Sequence, residues 1–256
     1  MAHSMSRLPL KTRLGNRELL VGTFVKTPSP VVVEVLSLTS LDCVCLDAEH
    51  APFDRTSLDL AILAARAGDL DVLVRVPSGA PEHILHALDC GATGVLVPHV
   101  RSVAEAQAVV RAAHYGHGGR GYAGSSRAAG YTTLSMARHR EQSAAHTVAI
   151  AQIEDPEAVE SIQGIASVPG LDALFVGRVD LAVSYGADSL DDPRVVAAVE
   201  HVCAASLEAQ KPVGMFLARI EDAAFWRDRG ASFFLLASDH GFLIAGANDL
   251  VRRVKH

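Results

Sequence analysis

Eight short apolar runs, alternating with longer segments of helical spacing, predict that this chain folds as a single (β/α)8 barrel of the α/β class. Three observations carry that reading. The runs are continuous in Val, Leu and Ile rather than alternating, which is the character of parallel strands covered on both faces. Their number exceeds what doubly wound open sheets usually show, and no glycine fingerprint follows the first run. The length of 256 residues suits one barrel over 1–256, although length alone equally allows two smaller domains.

In chain order, strands are expected at 20–25, 42–47, 71–76, 94–98, 147–153, 172–177, 213–217 and 232–236, each a Val/Leu/Ile/Phe-rich run bounded by turn residues. Helices are expected at 29–39, 55–68, 80–90, 102–114, 155–167, 192–210, 220–229 and 240–253, where apolar residues recur at three and four positions. Pro156 and Pro193 fit the first turn of a helix, where a missing N–H costs little. Ser102 with Glu105 reads as a capping box, and Gly68, Gly91 and Gly230 as C-terminal caps. One connection breaks the rhythm, from His114 to about His146, with a short helix expected near 133–144. Its length marks it as a flap over a pocket or an interface arm.

Composition excludes several classes. A net charge of -6, with basic residues clustered only at 138–140 and at the C-terminus, leaves no footprint for nucleic acid. No apolar run approaches the roughly 18 residues of a membrane helix, and no signal-peptide core follows the start, so a cytoplasmic location is expected. The first five residues, with Met1 and Met5, read as a cloning remnant or an alternative start and carry no weight. The chain has four cysteines, none in CxxC spacing, and Cys43 and Cys45 share one strand face, so buried thiols are expected.

The chemistry is concentrated where apolar runs end. Asp47 closes DCVCLD, Arg75 closes DVLVR, Glu154 closes VAIAQIE, and Asp180 follows LDALFVG. In a parallel barrel those ends open onto one face, so the four converge. Glu154 and Asp180 are a natural pair for a divalent cation, since two carboxylates leave room for water and substrate oxygens; each reads alternatively as a helix cap. Arg75 suits a bound carboxylate or an ion pair with Asp47 or Glu154. His50, three residues after Asp47, is a candidate acid–base group oriented by that carboxylate, or half of a structural pair. His83 and His86 have a metal-like spacing but no third ligand and read as solvated or interfacial, and 116–121 matches GxGxxG without a preceding strand, which leaves a loop that brings backbone near an anion or a plain flexible turn.

Taken together, GTFVKTPSP (22–30), LDAEHAP (46–52), LVRVP (73–77), LDCGATGVLVPHV (88–100), GGRG (118–121), AQIED (151–155) and FVGRVDL (175–181) resemble the HpcH/HpaI class II pyruvate aldolases of the phosphoenolpyruvate/pyruvate barrel superfamily. The resemblance implies metal ligation by Glu154 and Asp180, a pyruvyl group held by Arg75, and an acid–base pair of His50 and Asp47. Gln152 would line the pocket, and the backbone of Gly177, Arg178, Val179 and Asp180 would receive the substrate carboxylate. Asp89 would reach a neighbouring subunit's site, which makes the expected unit a homo-oligomer, commonly a hexamer.

The implied reaction is reversible cleavage of 4-hydroxy-2-oxo acids to pyruvate and an aldehyde, dependent on Mg²⁺, Mn²⁺ or Co²⁺. Oxaloacetate decarboxylation at the same site is the enzymatic alternative, and a non-catalytic binding barrel the contrasting one. Of the four lysines only Lys26 follows a strand on the expected active face, which disfavours a Schiff base. Three positions depart from the family pattern: Phe24 where Trp is common, Gly116-His117 for Pro-Pro, and Arg178 for a proline. The last adds a charge that either recognises the acceptor or pairs with a nearby carboxylate.

Overall fold

The computed structural model describes residues 8–255; Met1–Met5, set aside above, lie outside them. Among the described residues, eight strands form a closed parallel barrel in sequential order: β1 Leu20–Val25, β2 Cys43–Asp47, β3 Asp71–Arg75, β4 Gly94–Val97, β5 Val148–Ile153, β6 Ala173–Val176, β7 Val213–Leu217 and β8 Ala231–Ser238. Every expected strand is present, with ends within two residues of expectation. The helices are α1 Leu10–Gly15, α2 Pro30–Leu36, α3 Arg55–Ala67, α4 Pro81–Asp89, α5 Val103–Ala113, α6 Met136–His146, α7 Pro156–Glu160, α8 Ile162–Ala166, α9 Arg178–Ser184, α10 Pro193–Glu208, α11 Asp222–Arg227 and α12 Asp239–Lys255.

Period-two alternation sorts each strand into two cores. Leu20, Phe24, Cys43, Cys45, Leu73, Leu96, Val148, Ile150, Ala173, Phe175, Phe233 and Leu235 fill the barrel interior. Their neighbours Val44, Leu46, Val72, Val74, Val95, Ala149, Ala151 and Leu174 face the helices. All four cysteines are free and buried, as expected. The same parity, carried past the strand ends, decides which polar residues face the barrel mouth.

Several local readings needed correction. The expected 155–167 helix is interrupted at Ser161, giving α7 and α8. Ser102 accepts from the Glu105 N–H at 3.2 Å, but Glu105 caps the Arg101 N–H rather than that of Ser102, so only half the box forms. Gly91 and Gly230 take φ of 95°, whereas at the end of α3 it is Asp69, not Gly68, that turns left-handed, at φ 53°. Asp180 lies inside the first turn of α9 rather than ahead of a helix.

Helix α1 was not foreseen. Its Leu10 and Leu14, both 1% exposed, lie one turn apart and join the interior cluster at the strands' N-terminal end. Arg13 fastens the helix to Asp42 at 2.7 Å and Lys11 to Asp172 at 3.2 Å. Leu14→Ala should therefore lower unfolding free energy by about 2–5 kcal/mol in urea denaturation, the cost of a core cavity. A loss below about 0.5 kcal/mol would show α1 to be an appendage rather than a plug.

Candidate active site

Asp47 and Arg75 are register partners on adjacent strands and share the inward face of Cys45 and Leu73. They meet as a two-point ion pair: Arg75 Nε donates to Asp47 Oδ1 at 3.0 Å and Nη2 to Oδ2 at 2.8 Å. The guanidinium also lies 4.6 Å from the Phe24 ring centre, while Nη1 has no hydrogen-bond partner among the described residues. Burial pushes the Asp47 carboxyl up, but Arg75, the His50 N–H and Lys26 outweigh it and hold its pKa below the ordinary range.

The expected contact between Asp47 and the His50 ring does not form. Asp47 is saturated by Arg75, by the His50 backbone N–H at 3.1 Å and by Lys26 Nζ at 3.5 Å. The ring instead has Nε2 3.6 Å from Glu49 Oε2 and is 55% exposed at the mouth. Glu49 also lies 3.4 Å from Arg75 and 3.8 Å from His99. Burial raises its pKa against those cations, and Oε2 has no hydrogen-bond partner.

Across the mouth, β5 delivers Gln152 and Glu154, whose side chains hydrogen-bond to one another. Glu154, 2% exposed, also accepts the His99 N–H at 2.9 Å. Its pKa is raised, first by burial, with Asp180 adding repulsion against the bonds from Gln152 and His99. Gly177 is required here: a Cβ on it would sit 2.6 Å from Glu154 Oε2. His99 takes φ 53°, a left-handed conformation that is costly off glycine and tends to collect at functional sites. Its ring reaches Asp155 at 3.0 Å and Glu154 at 3.4 Å.

A cavity of about 370 Å³ opens between these groups, lined by Phe24, Lys26, His50, Arg75, Gln152, Gly177, Val179, Asp180 and Phe216 among others. Arg178 also borders it, but its guanidinium pairs with Asp222 at 3.1 Å. A larger cavity, about 640 Å³, lies at the opposite end of the barrel, where Arg120 bonds Asp89 at the last residue of α4. Asp89 is thus absent from its own chain's mouth. His83 bonds Ser78 at 3.0 Å and lies outside the cavity wall.

Among the described residues no cluster of three or more His, Cys, Asp or Glu forms a closed metal cage. The donors present fit a hard divalent cation of the Mg²⁺ type. Such ions take one or two carboxylates and leave the other positions to water and substrate. Glu154 is buried and repelled by Asp180, and Gln152 Oε1 beside it is buried without a partner.

The sequence reading missed Glu49 and His99. Glu49 was legible, since it stands two residues beyond Asp47 and shares its face. His99 was not, because its approach depends on a left-handed turn after β4.

Comparison with known proteins places the chain in a family. The HpcH/HpaI aldolase/citrate lyase family profile matches residues 20–246. The chain is 33% identical to a hydroxypyruvate/pyruvate aldolase of Paraburkholderia phytofirmans, over 96% of this chain and 97% of that one. It is 32% identical to a 5-keto-4-deoxy-D-glucarate aldolase of an Enterobacter species, over 96% of each. Among solved structures, an HpcH/HpaI aldolase/citrate lyase family protein of Burkholderia cenocepacia superposes with a TM-score of 0.91 at 31% identity, over 96% of this chain and 99% of that one. With the family's profile spanning the whole barrel and its polar mouth, this chain belongs to the HpcH/HpaI aldolase/citrate lyase family.

Proposed function

We propose that the chain is a divalent-metal-dependent carbon–carbon lyase that reversibly cleaves 4-hydroxy-2-oxo acids to pyruvate and an aldehyde. The observation that carries this is the placement of Glu154, Asp180 and the free Nη1 edge of Arg75 around one mouth. The aldolase names of the two relatives support the reaction class.

A cation held by Glu154 and Asp180 would supply positive charge opposite the oxygen on which negative charge develops. Arg75, fixed by Asp47, offers Nη1 to the pyruvyl carboxylate. The backbone from Gly177 to Asp180 borders the same space and would take the remaining carboxylate oxygen. His50, at the solvent side with Glu49 rather than Asp47 beside its ring, would take the 4-hydroxyl proton as the C3–C4 bond breaks to the aldehyde and return a proton to C3 of the pyruvate enolate. Phe24, Phe175 and Phe216 keep the floor apolar and exclude water from the reacting carbon. The reading extends to a homo-oligomer, by expectation a hexamer, in which Asp89 serves a neighbouring subunit.

Chelation should abolish pyruvate release from 4-hydroxy-2-oxo acids, with Mg²⁺, Mn²⁺ or Co²⁺ restoring it. Glu154→Ala and Asp180→Ala should each lose metal by elemental content while retaining the fold. Activity that survives exhaustive EDTA, or covalent trapping of pyruvate on Lys26 by borohydride, would contradict the mechanism.

His50→Ala should slow proton exchange at the pyruvate methyl by about two to four powers of ten with metal retained. Asp47→Asn should act differently, costing stability because it replaces the two-point ion pair with a single neutral acceptor and leaves the buried Arg75 with Glu49, at 3.4 Å, as its nearest charge partner. Wild-type exchange in His50→Ala would remove this histidine from proton transfer.

A further inference from the structure

Helix α9 sets the position of Asp180, yet its start is weakly held from within. Gly177, required by its approach to Glu154, provides no side-chain cap, and ahead of α9 the backbone is tied to the barrel through the Gly177 N–H to the Ile153 carbonyl at 3.0 Å. The side-chain anchor comes from the next residue. Arg178 is 3% exposed, donates from Nη1 to Asp222 Oδ2 at 3.1 Å, and holds its guanidinium 4.9 Å from the centre of the Trp226 ring. Asp222 and Trp226 lie four residues apart on α11, so one face of that helix presents both the carboxylate and the ring.

Asp222 also takes Arg219 at 3.1 Å, and Arg219 grips Asp191 through two bonds at 2.8 and 2.6 Å. The start of α9, the start of α11 and the connection before α10 are thereby joined at the cavity rim. A guanidinium buried in this way is committed to the protein. A buried charge is tolerated only when paired, so displacing it toward substrate would strand both Arg178 and part of Asp222. The Arg178 pairing therefore favours a structural partner over acceptor recognition.

We propose that Arg178 is a positioning residue: the Arg178–Asp222–Trp226 clamp fixes the first turn of α9 and with it the Asp180 carboxylate opposite Glu154. The inference rests on the metal reading above and adds to it the device that holds one ligand in place. Glu154 and Asp180 repel each other, and a seven-residue helix preceded by a glycine without a side-chain cap would relax away from that repulsion unless its first residue, Arg178, were tied down. Where a proline would stiffen this turn through its own ring, arginine stiffens it through a tertiary contact.

Trp226 is the chain's only tryptophan, so its emission reports directly on the clamp. Mg²⁺ affinity by calorimetry, Trp226 emission during the same titration, and kcat and KM for neutral and anionic aldehydes should be measured for wild type, Arg178→Met, Arg178→Lys and Asp222→Asn. The wild-type titration alone tests the metal reading; the differences between wild type and variants test the clamp. Arg178→Met should weaken Mg²⁺ at least tenfold, blunt the emission response and lower kcat/KM equally for both aldehyde classes. Arg178→Lys should recover part of the affinity, since it keeps the charge but not the planar stack. Asp222→Asn, which keeps the side-chain shape, should shift affinity in the same direction and covers the case in which Arg178→Met does not fold. Mg²⁺ affinity within twofold of wild type in the folded variants, whatever their melting temperature, would overturn the proposal. So would a KM rise confined to anionic aldehydes, which would make Arg178 a substrate-recognition residue.

Discussion

A buried arginine at the end of a parallel strand must find a carboxylate at the same height on a neighbouring strand, and Asp47 meets that demand for Arg75. Their register pairing and shared inward face bring two nitrogens onto two oxygens, and much of the site follows from it. Nε and one N–H of Nη2 are engaged, so Nη1 and the second N–H of Nη2 are left to meet a ligand. Asp47 is consumed as well, which explains why the His50 ring turns to Glu49. The carboxylate expected to orient the His50 ring instead holds Arg75, the arm proposed to bind the substrate carboxylate.

The opposite wall obeys a different constraint. Glu154 is buried against Gln152 and the His99 N–H, beside a glycine that no larger residue can replace without collision. Burial and Asp180 both work against ionisation of Glu154, and a cation placed beside it would work in the opposite direction. Arginine on one side and compressed carboxylates on the other form a polarised slot over an aromatic floor.

The strands were legible because a parallel barrel demands continuous apolar runs, and the ends of those runs open onto one face. The strand ends pointed to Asp47, Arg75, Glu154 and Asp180, and in the structure Arg75 and Asp180 line one cavity, with Asp47 paired to Arg75 and Glu154 to Gln152. That logic could not place residues whose position depends on contacts distant in sequence. Arg178 reads in sequence as a charge beside a cavity, and its burial is set by Asp222 and Trp226 more than forty residues away. His99 depends on a left-handed backbone that its neighbours do not announce. Helix α1 escaped because six residues carry too little periodicity, although Leu10 and Leu14 close the barrel floor.

The central claim is that these two walls form one pyruvate site bridged by a divalent cation. It is tested most directly by a crystal structure of the protein grown with Mn²⁺ and pyruvate, with the metal located by anomalous scattering. One peak within coordination distance of both Glu154 and Asp180 is expected, with a pyruvate carboxylate against Arg75 Nη1. A peak away from either carboxylate, or pyruvate bound without contact to Arg75, would contradict it.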